Sequence, residues 1–396
     1  MSARLLLFTG KGGVGKTTLA AATAAALAAG GRKALVVSTD PAHSLGDAFG
    51  VPLGGAVAEV DGGLHAAQID PRALVDDAWR ELRGHLRTVL AGAGVDELAA
   101  EELTVLPGVE ELLALAEVRR LVGTGPWDVV VVDCGPTAET LRLLALPEAL
   151  GSYLERLFPT HRRVVRGLLA GLAGSTSVER WDATADALGR LAESLEQLRV
   201  LLTSPATSVR LVLTPERVVA AETRRTVTAL ALQGIRVDGV VANRLVPHPG
   251  AARGAAATWL RTRRAEQDAV LASLADLGAV RTVEHRAGEP VGLPALLEIA
   301  AALYGDGDPL EGAAAEGPLV DVVRVDDEYE LRLAVAVGDS DLDLVRVGDD
   351  LAVTVDGRRK LVALPSLLRR CVVVGAELDD TGLAVRFRPD PDLWMR

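Results

Sequence analysis

The residues with the most definite chemistry are those at 10–18, GKGGVGKTT, which follow an apolar run and precede an alanine-rich stretch. The spacing of Gly10, Gly15, Lys16 and Thr17 is that of a phosphate loop, in which glycines let backbone N–H groups surround a phosphate closely. The helix expected after the loop adds the partial positive charge of its first turn. This stretch therefore predicts a binding site for a nucleoside triphosphate.

The polar side chains of the loop have distinct predicted tasks. Lys16 is expected to reach the β- and γ-phosphates, Thr17 to bind Mg²⁺ through its hydroxyl, and Thr18 to lie near the α-phosphate. The predicted nucleotide-binding residues of the loop are Gly10, Lys11, Gly12, Gly13, Val14, Gly15, Lys16, Thr17 and Thr18.

Two aspartates stand where strand-like runs end. Asp40 follows the run at 32–38, and Asp133 follows the run at 127–132, which ends in four consecutive valines. A carboxylate at the carboxyl end of a strand next to the phosphate-loop strand faces the triphosphate in a parallel sheet, which is the expectation for Asp40. The alternative is that Asp40 only caps the next turn. Asp133 is expected to hold Mg²⁺, usually through water.

The composition limits the class of protein. A chain of 396 residues can bury a large core and has room for two domains, or for one large domain with an appendage. The formal net charge of −12 argues against a nucleic-acid surface, which needs clustered lysine and arginine. Cys134 and Cys371 are too few for a disulfide framework. Without a long uncharged apolar run or a signal peptide, we expect a cytoplasmic protein with no stable membrane insertion.

Longer motifs carry a resemblance to a known family. The second lysine of KGGVGKT, Lys11, is typical of the deviant phosphate loop shared by arsenical pump-driving, tail-anchored-protein targeting, cell-division and partition ATPases and by the nitrogenase iron protein. The stretch STDPAHSLGDAFG at 38–50 resembles the first switch of the arsenical pump and targeting members. DCGPTAETLRLL at 133–144 resembles their second switch, with Glu139 in place of the usual histidine.

This resemblance, which covers residues 2–305, implies a homodimeric ATPase that binds ATP and Mg²⁺. The family residue that matches Lys11 acts across the dimer on the partner's nucleotide, and the one that matches Asp40 positions the attacking water. Asn243, in VANRL, matches an asparagine that recognises adenine. Weaker matches are Glu222, at the dimer interface near nucleotide, and Pro290, in a loop that closes against the base. The candidate catalytic residues are thus Asp40, Lys11 and Lys16, and the candidate metal ligands are Thr17 and Asp133.

Other family features are missing from the sequence. The segment at 249–264 lacks the CxxC pair through which targeting members share zinc between two subunits, and the cysteines with which the pump senses arsenite are also absent. The only methionines are Met1 and Met395, so we do not expect the methionine-rich client groove of the targeting members. Cys134 lies near the position of a cluster ligand in the nitrogenase iron protein, but a small buried hydrophobic residue is the simpler interpretation.

A different pattern begins after residue 305. Residues 306–318 are rich in glycine, alanine, proline and acids and are expected to form a linker. From 319 to 396 the hydrophobic period becomes two, which predicts seven short strands in a β-sandwich, with a hairpin turn at Asp356-Gly357. This pattern resembles the α-crystallin domain of small heat-shock proteins, which some family members carry at their carboxyl end. We expect the sandwich to dock on the ATPase part; the alternative is a freely swinging tethered domain.

The predicted architecture is an α/β P-loop domain over residues 1–305, followed by the all-β sandwich. The P-loop domain is expected to have a mostly parallel sheet wrapped by helices and a helical subdomain at roughly 71–123 and 143–205. The predicted function is ATP hydrolysis by a nucleotide-gated homodimer that binds or targets a hydrophobic protein or lipid-like client. The alternatives are a nucleotide-regulated chaperone with little turnover and a membrane-surface scaffold of the cell-division type, although that type carries a terminal basic amphipathic helix.

Overall fold

The computed structural model describes residues 3–40, 44–70, 109–134, 193–194, 196–311, 320–333, 342–355, 358–379 and 382–391. The chain divides into two compact units, of which the first contains residues 1–9, 16–207 and 290–300 and the second contains residues 10–15, 208–289 and 301–396. Most of the predicted helical subdomain and the second switch beyond Cys134 lie outside the described residues.

The described residues of the two units include six α-helices with defined bounds. They are α1 (Lys16–Ala29), α2 (Ser44–Phe49), α3 (Val109–Thr124), α4 (Arg217–Leu232), α5 (Ala255–Ala272) and α6 (Leu293–Tyr304). Residues 196–203 are helical as well. Among the described helices, none is long and apolar enough to cross a lipid bilayer.

A mostly parallel sheet organises the first unit. Its strands are β1 (Arg4–Thr9), β2 (Ala34–Ser38), β3 (Ala58–Asp61), β4 (Leu64–Gln68) and β5 (Val129–Asp133), in the order β3-β4-β2-β5-β1. β2 and β5 are buried along their full length, as their apolar runs indicate. β3, which runs antiparallel to β4, is missing from the prediction. In the strand register Phe8 and Ser38 both lie opposite Asp133, so three strand ends meet at one edge of the sheet.

Helix α1 covers this sheet because most of its residues are small and apolar. Alanine dominates its sequence and most of its side chains are buried. The helix ends at a glycine pair, where Gly31 has a left-handed φ of 86° and the N–H of Gly30 donates to the carbonyl of Ala26. Its first residue, Lys16, comes directly after the glycines of the loop, so the loop leads into the amino-terminal end of a helix.

The second unit has its own parallel strands. They are β6 (Thr207–Leu213), β7 (Val237–Leu245) and β8 (Val280–Glu284), in the order β6-β7-β8. All of β6 is buried. Helix α4 is amphipathic, since its buried residues recur every three or four positions, at Val219, Thr223, Val227 and Leu230.

All seven strands predicted for the carboxyl-terminal region are present. They are β9 (Val320–Val325), β10 (Glu328–Leu333), β11 (Leu342–Val347), β12 (Asp350–Val355), β13 (Arg358–Ala363), β14 (Cys371–Asp379) and β15 (Gly382–Pro389). They form one sheet in the order β14-β15-β10-β9 and another in the order β11-β12-β13. Val355 pairs with Arg358, and the predicted hairpin turn at Asp356-Gly357 lies outside the described residues. The buried core comprises Leu331, Leu351, Val353, Leu364, Leu368, Cys371, Leu383, Val385 and Phe387.

The sandwich makes a contact with helix α4. Ala231, near the carboxyl end of that helix, packs against the sandwich core. This contact lies within the second unit and agrees with the expectation of a docked domain. Docking itself stays a prediction, which truncation can test.

Two residues of the predicted linker at 306–318, Pro309 and Glu311, accept hydrogen bonds from arginines of the second unit. The fully buried Arg210 on β6 donates from Nη1 to the hydroxyl of Tyr304 at 2.9 Å and from Nη2 to the carbonyl of Pro309 at 3.0 Å. Arg281 Nη2 donates to the carbonyl of Glu311 at 3.0 Å. Arginine needs acceptors when buried, and the linker carbonyls supply them. The rest of the predicted linker lies outside the described residues.

Candidate functional site

The phosphate loop approaches its neighbours so closely that two of its glycines have no room for a side chain. A Cβ atom on Gly10, whose φ is 150°, would lie 2.1 Å from the carbonyl oxygen of Val212. A Cβ atom on Gly15, whose φ is 94°, would lie 2.4 Å from Nδ2 of Asn243. Both φ values belong to the region that favours glycine. These glycines are therefore required by the fold of the loop itself, before any ligand is considered.

The two lysines of the loop differ in exposure. Lys16, at the start of α1, is 7 % exposed, whereas Lys11 is an exposed residue. A buried lysine beside the loop is suited to a ligand held by the same subunit, and an exposed one is open to a second molecule. The two lysines therefore differ in exposure, and their separate roles stay predictions.

Thr17 and Asp133 lie in direct contact, although they are distant in sequence. Thr17 Oγ1 donates to Asp133 Oδ2 at 2.7 Å and lies 3.1 Å from the hydroxyl of Ser44 at the start of α2. Asp133 Oδ2 also accepts from Ser38 Oγ at 3.1 Å. Hydroxyl and carboxylate oxygens of this kind are the ligands that Mg²⁺ prefers. The predicted metal residues are therefore brought together at the end of β5.

The other oxygen of Asp133 has a different environment. Oδ1 is buried without a hydrogen-bond partner among the described residues, and the side chain as a whole is fully buried. Burial raises the pKa of this carboxyl, and the hydrogen bonds from Thr17 and Ser38 together with the charge of Lys16 offset the effect only in part. A buried carboxylate oxygen without a donor calls for a cation or a metal-bound water, so the geometry fits Mg²⁺.

Asp40 is held by two residues that the sequence prediction did not include. Its N–H donates to Ser38 Oγ at 3.3 Å, and its carbonyl accepts from Nε2 of the buried Gln68 at 3.1 Å. Ser38 and Gln68 are the last residues of β2 and β4. A polar residue that closes an otherwise apolar strand is the sequence signal by which they could have been found.

Asn243 forms a hydrogen bond with the phosphate loop. Its Nδ2 donates to the carbonyl of Val14 at 2.8 Å, and its Oδ1 accepts from the N–H of Arg244 at 2.8 Å. The adenine-binding role predicted for Asn243 is a separate matter, which this contact does not test.

The two weaker candidates lie in different surroundings. Glu222 is an exposed residue on α4. Pro290 is half-buried, and two residues after it the N–H of Gly292 donates to the carbonyl of Ala48 in α2 at 2.9 Å. Pro290 therefore lies two residues before a hydrogen bond to α2, the helix that follows Asp40 in the chain.

Cys134 is a buried residue rather than an accessible ligand. Its Sγ donates to the carbonyl of Phe8 at 3.5 Å, and burial raises the pKa of its thiol above the ordinary value. In the part of the chain that the structure describes, no group of three or more histidine, cysteine and acidic side chains is placed to hold a metal ion. The burial of its thiol supports the interpretation of Cys134 as a small buried hydrophobic residue.

Comparison with known proteins identifies the family of the chain. A model of the anion-transporting ATPase family matches residues 3–305, and a model of the HSP20-like domain found in ArsA matches residues 326–387. The chain belongs to the anion-transporting ATPase family. The first match covers the phosphate loop and both aspartates, so the chain is an ATPase of this family with an HSP20-like domain at its carboxyl end.

Relatives of this ATPase align over nearly its whole length. Protein Rv2184c of Mycobacterium tuberculosis is 41 % identical over 428 aligned positions, which cover 99 % of this chain and 97 % of the relative. A putative arsenical pump-driving ATPase of Chlorobaculum tepidum is 34 % identical over 390 positions, covering 97 % and 96 %. A protein called putative arsenical pump-driving ATPase 1, of Aquifex aeolicus, is 31 % identical over 378 positions, covering 92 % and 95 %.

Proposed function

We propose that this ATPase binds ATP with Mg²⁺ and uses Lys16, Thr17, Asp40 and Asp133 for hydrolysis. The observation that carries the proposal is the contact of Thr17 with Asp133, next to a buried carboxylate oxygen that lacks a donor. Thr17 and Asp133 are the residues that would hold Mg²⁺. When bound, this ion neutralises negative charge on the β- and γ-phosphates.

The remaining steps belong to the chain's own residues. The N–H groups of the loop and the ammonium group of Lys16 bind the phosphate oxygens and stabilise the charge that develops during transfer. Asp40 orients the attacking water, and its main chain is positioned by Ser38 and Gln68. Asn243 recognises adenine, with Pro290 in the loop that closes against the base.

We further propose that the ATPase works as a homodimer without zinc. The exposure of Lys11 supports a role on the nucleotide of the partner subunit, with Glu222 near the same interface. Sedimentation in the presence and absence of ATP and of a chelator tests this. Nucleotide-dependent association that a chelator does not change is the expected result, and release of monomer together with zinc would contradict it.

The proposed function of ATP hydrolysis is to drive the binding or targeting of a hydrophobic client. The match to an HSP20-like domain supports this, and so do exposed apolar side chains on the sandwich, among them Val325, Val345 and Val372. The same observations favour a second function, a chaperone in which ATP binding is regulatory and turnover is slow. Steady-state hydrolysis distinguishes the two, because only the first function requires sustained turnover.

The proposed chemistry is tested with the variant Asp40→Asn. Asn keeps the shape of the side chain but cannot orient water as a carboxylate does, so hydrolysis should fall at least about 100-fold while Mg²⁺-dependent ATP binding persists. Asp47→Asn, an equivalent change at an exposed residue of α2, is the control and should keep wild-type turnover. Equal turnover in the two variants would refute the role of Asp40. The Asp40→Asn protein held in ATP is also the form with which to capture a client.

A further inference from the structure

Asn243 joins the end of β7 to the phosphate loop. Its amide nitrogen lies 2.8 Å from the carbonyl oxygen of Val14, a residue 229 positions away in sequence. It is also the only asparagine in the chain of 396 residues. The contact falls in the part of the loop that leads directly into Lys16.

The direction of the Val14 carbonyl decides the direction of the next N–H group. A peptide unit is planar and trans, so its C=O and N–H bonds point in opposite directions. The bond from Asn243 turns the carbonyl of Val14 toward β7, and this turns the N–H of Gly15 away from β7. That N–H is one of the donors with which a phosphate loop surrounds its anion. Asn243 therefore determines the orientation of a donor that it does not itself contact.

The site requires an amide side chain. The carbonyl of Val14 can only accept a hydrogen bond, whereas the N–H of Arg244, which lies 2.8 Å from Asn243 Oδ1, can only donate one. An amide satisfies both partners at once. A carboxylate would place an oxygen, which can only accept, against the Val14 carbonyl oxygen, which also can only accept. Because Nδ2 carries two hydrogens, the bond to Val14 leaves one for another acceptor, such as a base.

The closeness of Asn243 also accounts for Gly15. A Cβ atom on Gly15 would lie 2.4 Å from Nδ2, well inside contact distance. The amide and the glycine therefore occupy complementary positions, and neither can be enlarged without moving the loop.

We propose that Asn243 is a positioning residue for phosphate binding, which it performs by holding the Val14–Gly15 peptide in the orientation that presents an N–H group to the anion. This inference rests on the proposed function of the loop as the ATP phosphate site. It goes beyond adenine recognition, because it predicts that Asn243 matters for a ligand that has no base.

The test uses inorganic tripolyphosphate, which has the phosphates of ATP without the nucleoside. Affinity for tripolyphosphate and for ATP is measured in the presence of Mg²⁺ by competition with a fluorescent ATP analogue. In Asn243→Ala the affinity for tripolyphosphate should fall about tenfold, the effect of one lost hydrogen bond and a mobile peptide. Asn243→Ser is measured alongside. Its side chain is polar but shorter, and its affinity for tripolyphosphate should fall as well. Unchanged tripolyphosphate affinity with weakened ATP binding would show that Asn243 reads only the base, and would overturn the proposal.

Gln267→Ala is the matched control. The buried Gln267 on α5 holds the same end of β7, accepting from the N–H of Val246 at 2.8 Å and donating to the carbonyl of Arg244 at 3.4 Å. Its loss loosens the strand end without removing the bond to Val14, so tripolyphosphate affinity should stay within about twofold of wild type. An equal loss in Gln267→Ala would reduce Asn243 to a general stabiliser of β7 and would overturn the proposal.

Hydrogen exchange decides the matter without any ligand. In the nucleotide-free protein, the backbone amides of peptides covering residues 10–18 should exchange faster in Asn243→Ala than in wild type or Gln267→Ala. Equal loop exchange in all three proteins would overturn the positioning role. If the wild type bound neither ATP nor tripolyphosphate, the nucleotide site itself would be wrong, which is a different failure from the loss of this one contact.

Discussion

Ser38 and Asp133 are joined by a hydrogen bond of 3.1 Å between the Ser38 hydroxyl and Asp133 Oδ2. The same hydroxyl accepts from the N–H of Asp40 at 3.3 Å. One buried serine at the end of β2 therefore connects the proposed metal carboxylate with the residue proposed to orient water. A movement of Asp40 is therefore expected to displace Asp133, and the reverse, through the Ser38 hydroxyl.

Ser38→Ala should lower ATP hydrolysis more than it lowers stability. Loss of the hydroxyl removes a donor from Asp133 and an acceptor from Asp40, so we expect kcat to fall about tenfold and the free energy of unfolding by about 1 kcal/mol. Ser208→Ala is a close control, since Ser208 is also buried and donates to a carboxylate, Asp238, at 3.1 Å. Urea unfolding and steady-state assays on both variants decide the matter. Equal effects on kcat would show that Ser38 is only structural.

The two lysines of the loop should give different kinetic phenotypes. Lys16→Ala removes the buried ammonium group beside the loop, and ATP affinity should fall roughly 10- to 100-fold. Lys11→Ala should keep ATP affinity and lose most hydrolysis, because the exposed Lys11 is proposed to act on the partner's nucleotide. Binding titrations and turnover assays on both variants are the measurements. Wild-type turnover in Lys11→Ala would rule out the action of this lysine across a dimer.

Replacing only one residue of the Arg210–Asp238 pair should lower the free energy of unfolding strongly. Both side chains are fully buried, with Nε and Nη2 of Arg210 at 3.1 and 2.9 Å from Oδ1 and Oδ2 of Asp238. Arg210→Met leaves the carboxylate buried without its partner, so the free energy of unfolding should fall by about 3–5 kcal/mol.

Two variants serve as controls for this pair. Adding Asp238→Leu to Arg210→Met should recover part of the loss, because no unpaired charge then remains. Arg264→Met, which removes ion pairs with the exposed Asp268 and Glu284, should cost less than about 1 kcal/mol. Denaturant unfolding of the three proteins is the measurement, and a cost for Arg210→Met as small as that for Arg264→Met would contradict the expectation.

Removal of the sandwich should destabilise the ATPase part in two steps. A chain ending at 311 loses the sandwich that packs on Ala231 but keeps the Pro309 carbonyl, which accepts from Arg210, and the main-chain oxygen of Glu311, now in a terminal carboxylate, which accepts from Arg281. A chain ending at 305 loses both, so its melting temperature should be the lower of the two. ATP affinity should persist in both, since every proposed phosphate contact precedes the cuts. Full stability of the 311 chain would mean that the sandwich is only tethered.

Cys134 should resist alkylation in the folded protein. Burial raises the pKa of its thiol, so the thiolate fraction at pH 8 is smaller than for a free cysteine and increases only when the pH approaches the raised pKa. Peptide mass spectrometry after iodoacetamide treatment should show slow labelling of Cys134 in buffer between pH 7 and 9 and rapid labelling in urea. Rapid native labelling would indicate an accessible thiol and reopen the interpretation of Cys134 as a ligand.

Much of the fold could be predicted because its signals are local. The loop glycines, the apolar run that became β5 and the alternating pattern of the sandwich each lie within a few consecutive residues, and all seven strands of the sandwich appear where the period of two indicates them. β3 escaped prediction because its sequence, AEVD, is short and mostly exposed, and it is held by pairing with β4 instead of by an apolar pattern. The hydrogen bonds from Arg210 and Arg281 to the predicted linker could not be foreseen, because they are accepted by main-chain carbonyls, which every residue type carries.

The sequence alone determined the chemical types at the site: a phosphate loop, two lysines, a hydroxyl and two carboxylates at strand ends. The tertiary structure alone decided their partners. Thr17 meets Asp133 across 116 positions and Asn243 meets Val14 across 229, and neither distance leaves a trace in local spacing. Ser38 and Gln68 acquire their roles in the same way. Such contacts depend on which strands become neighbours and in what register, and this is decided by how the whole core packs, because residues at strand ends meet only when the sheet is assembled.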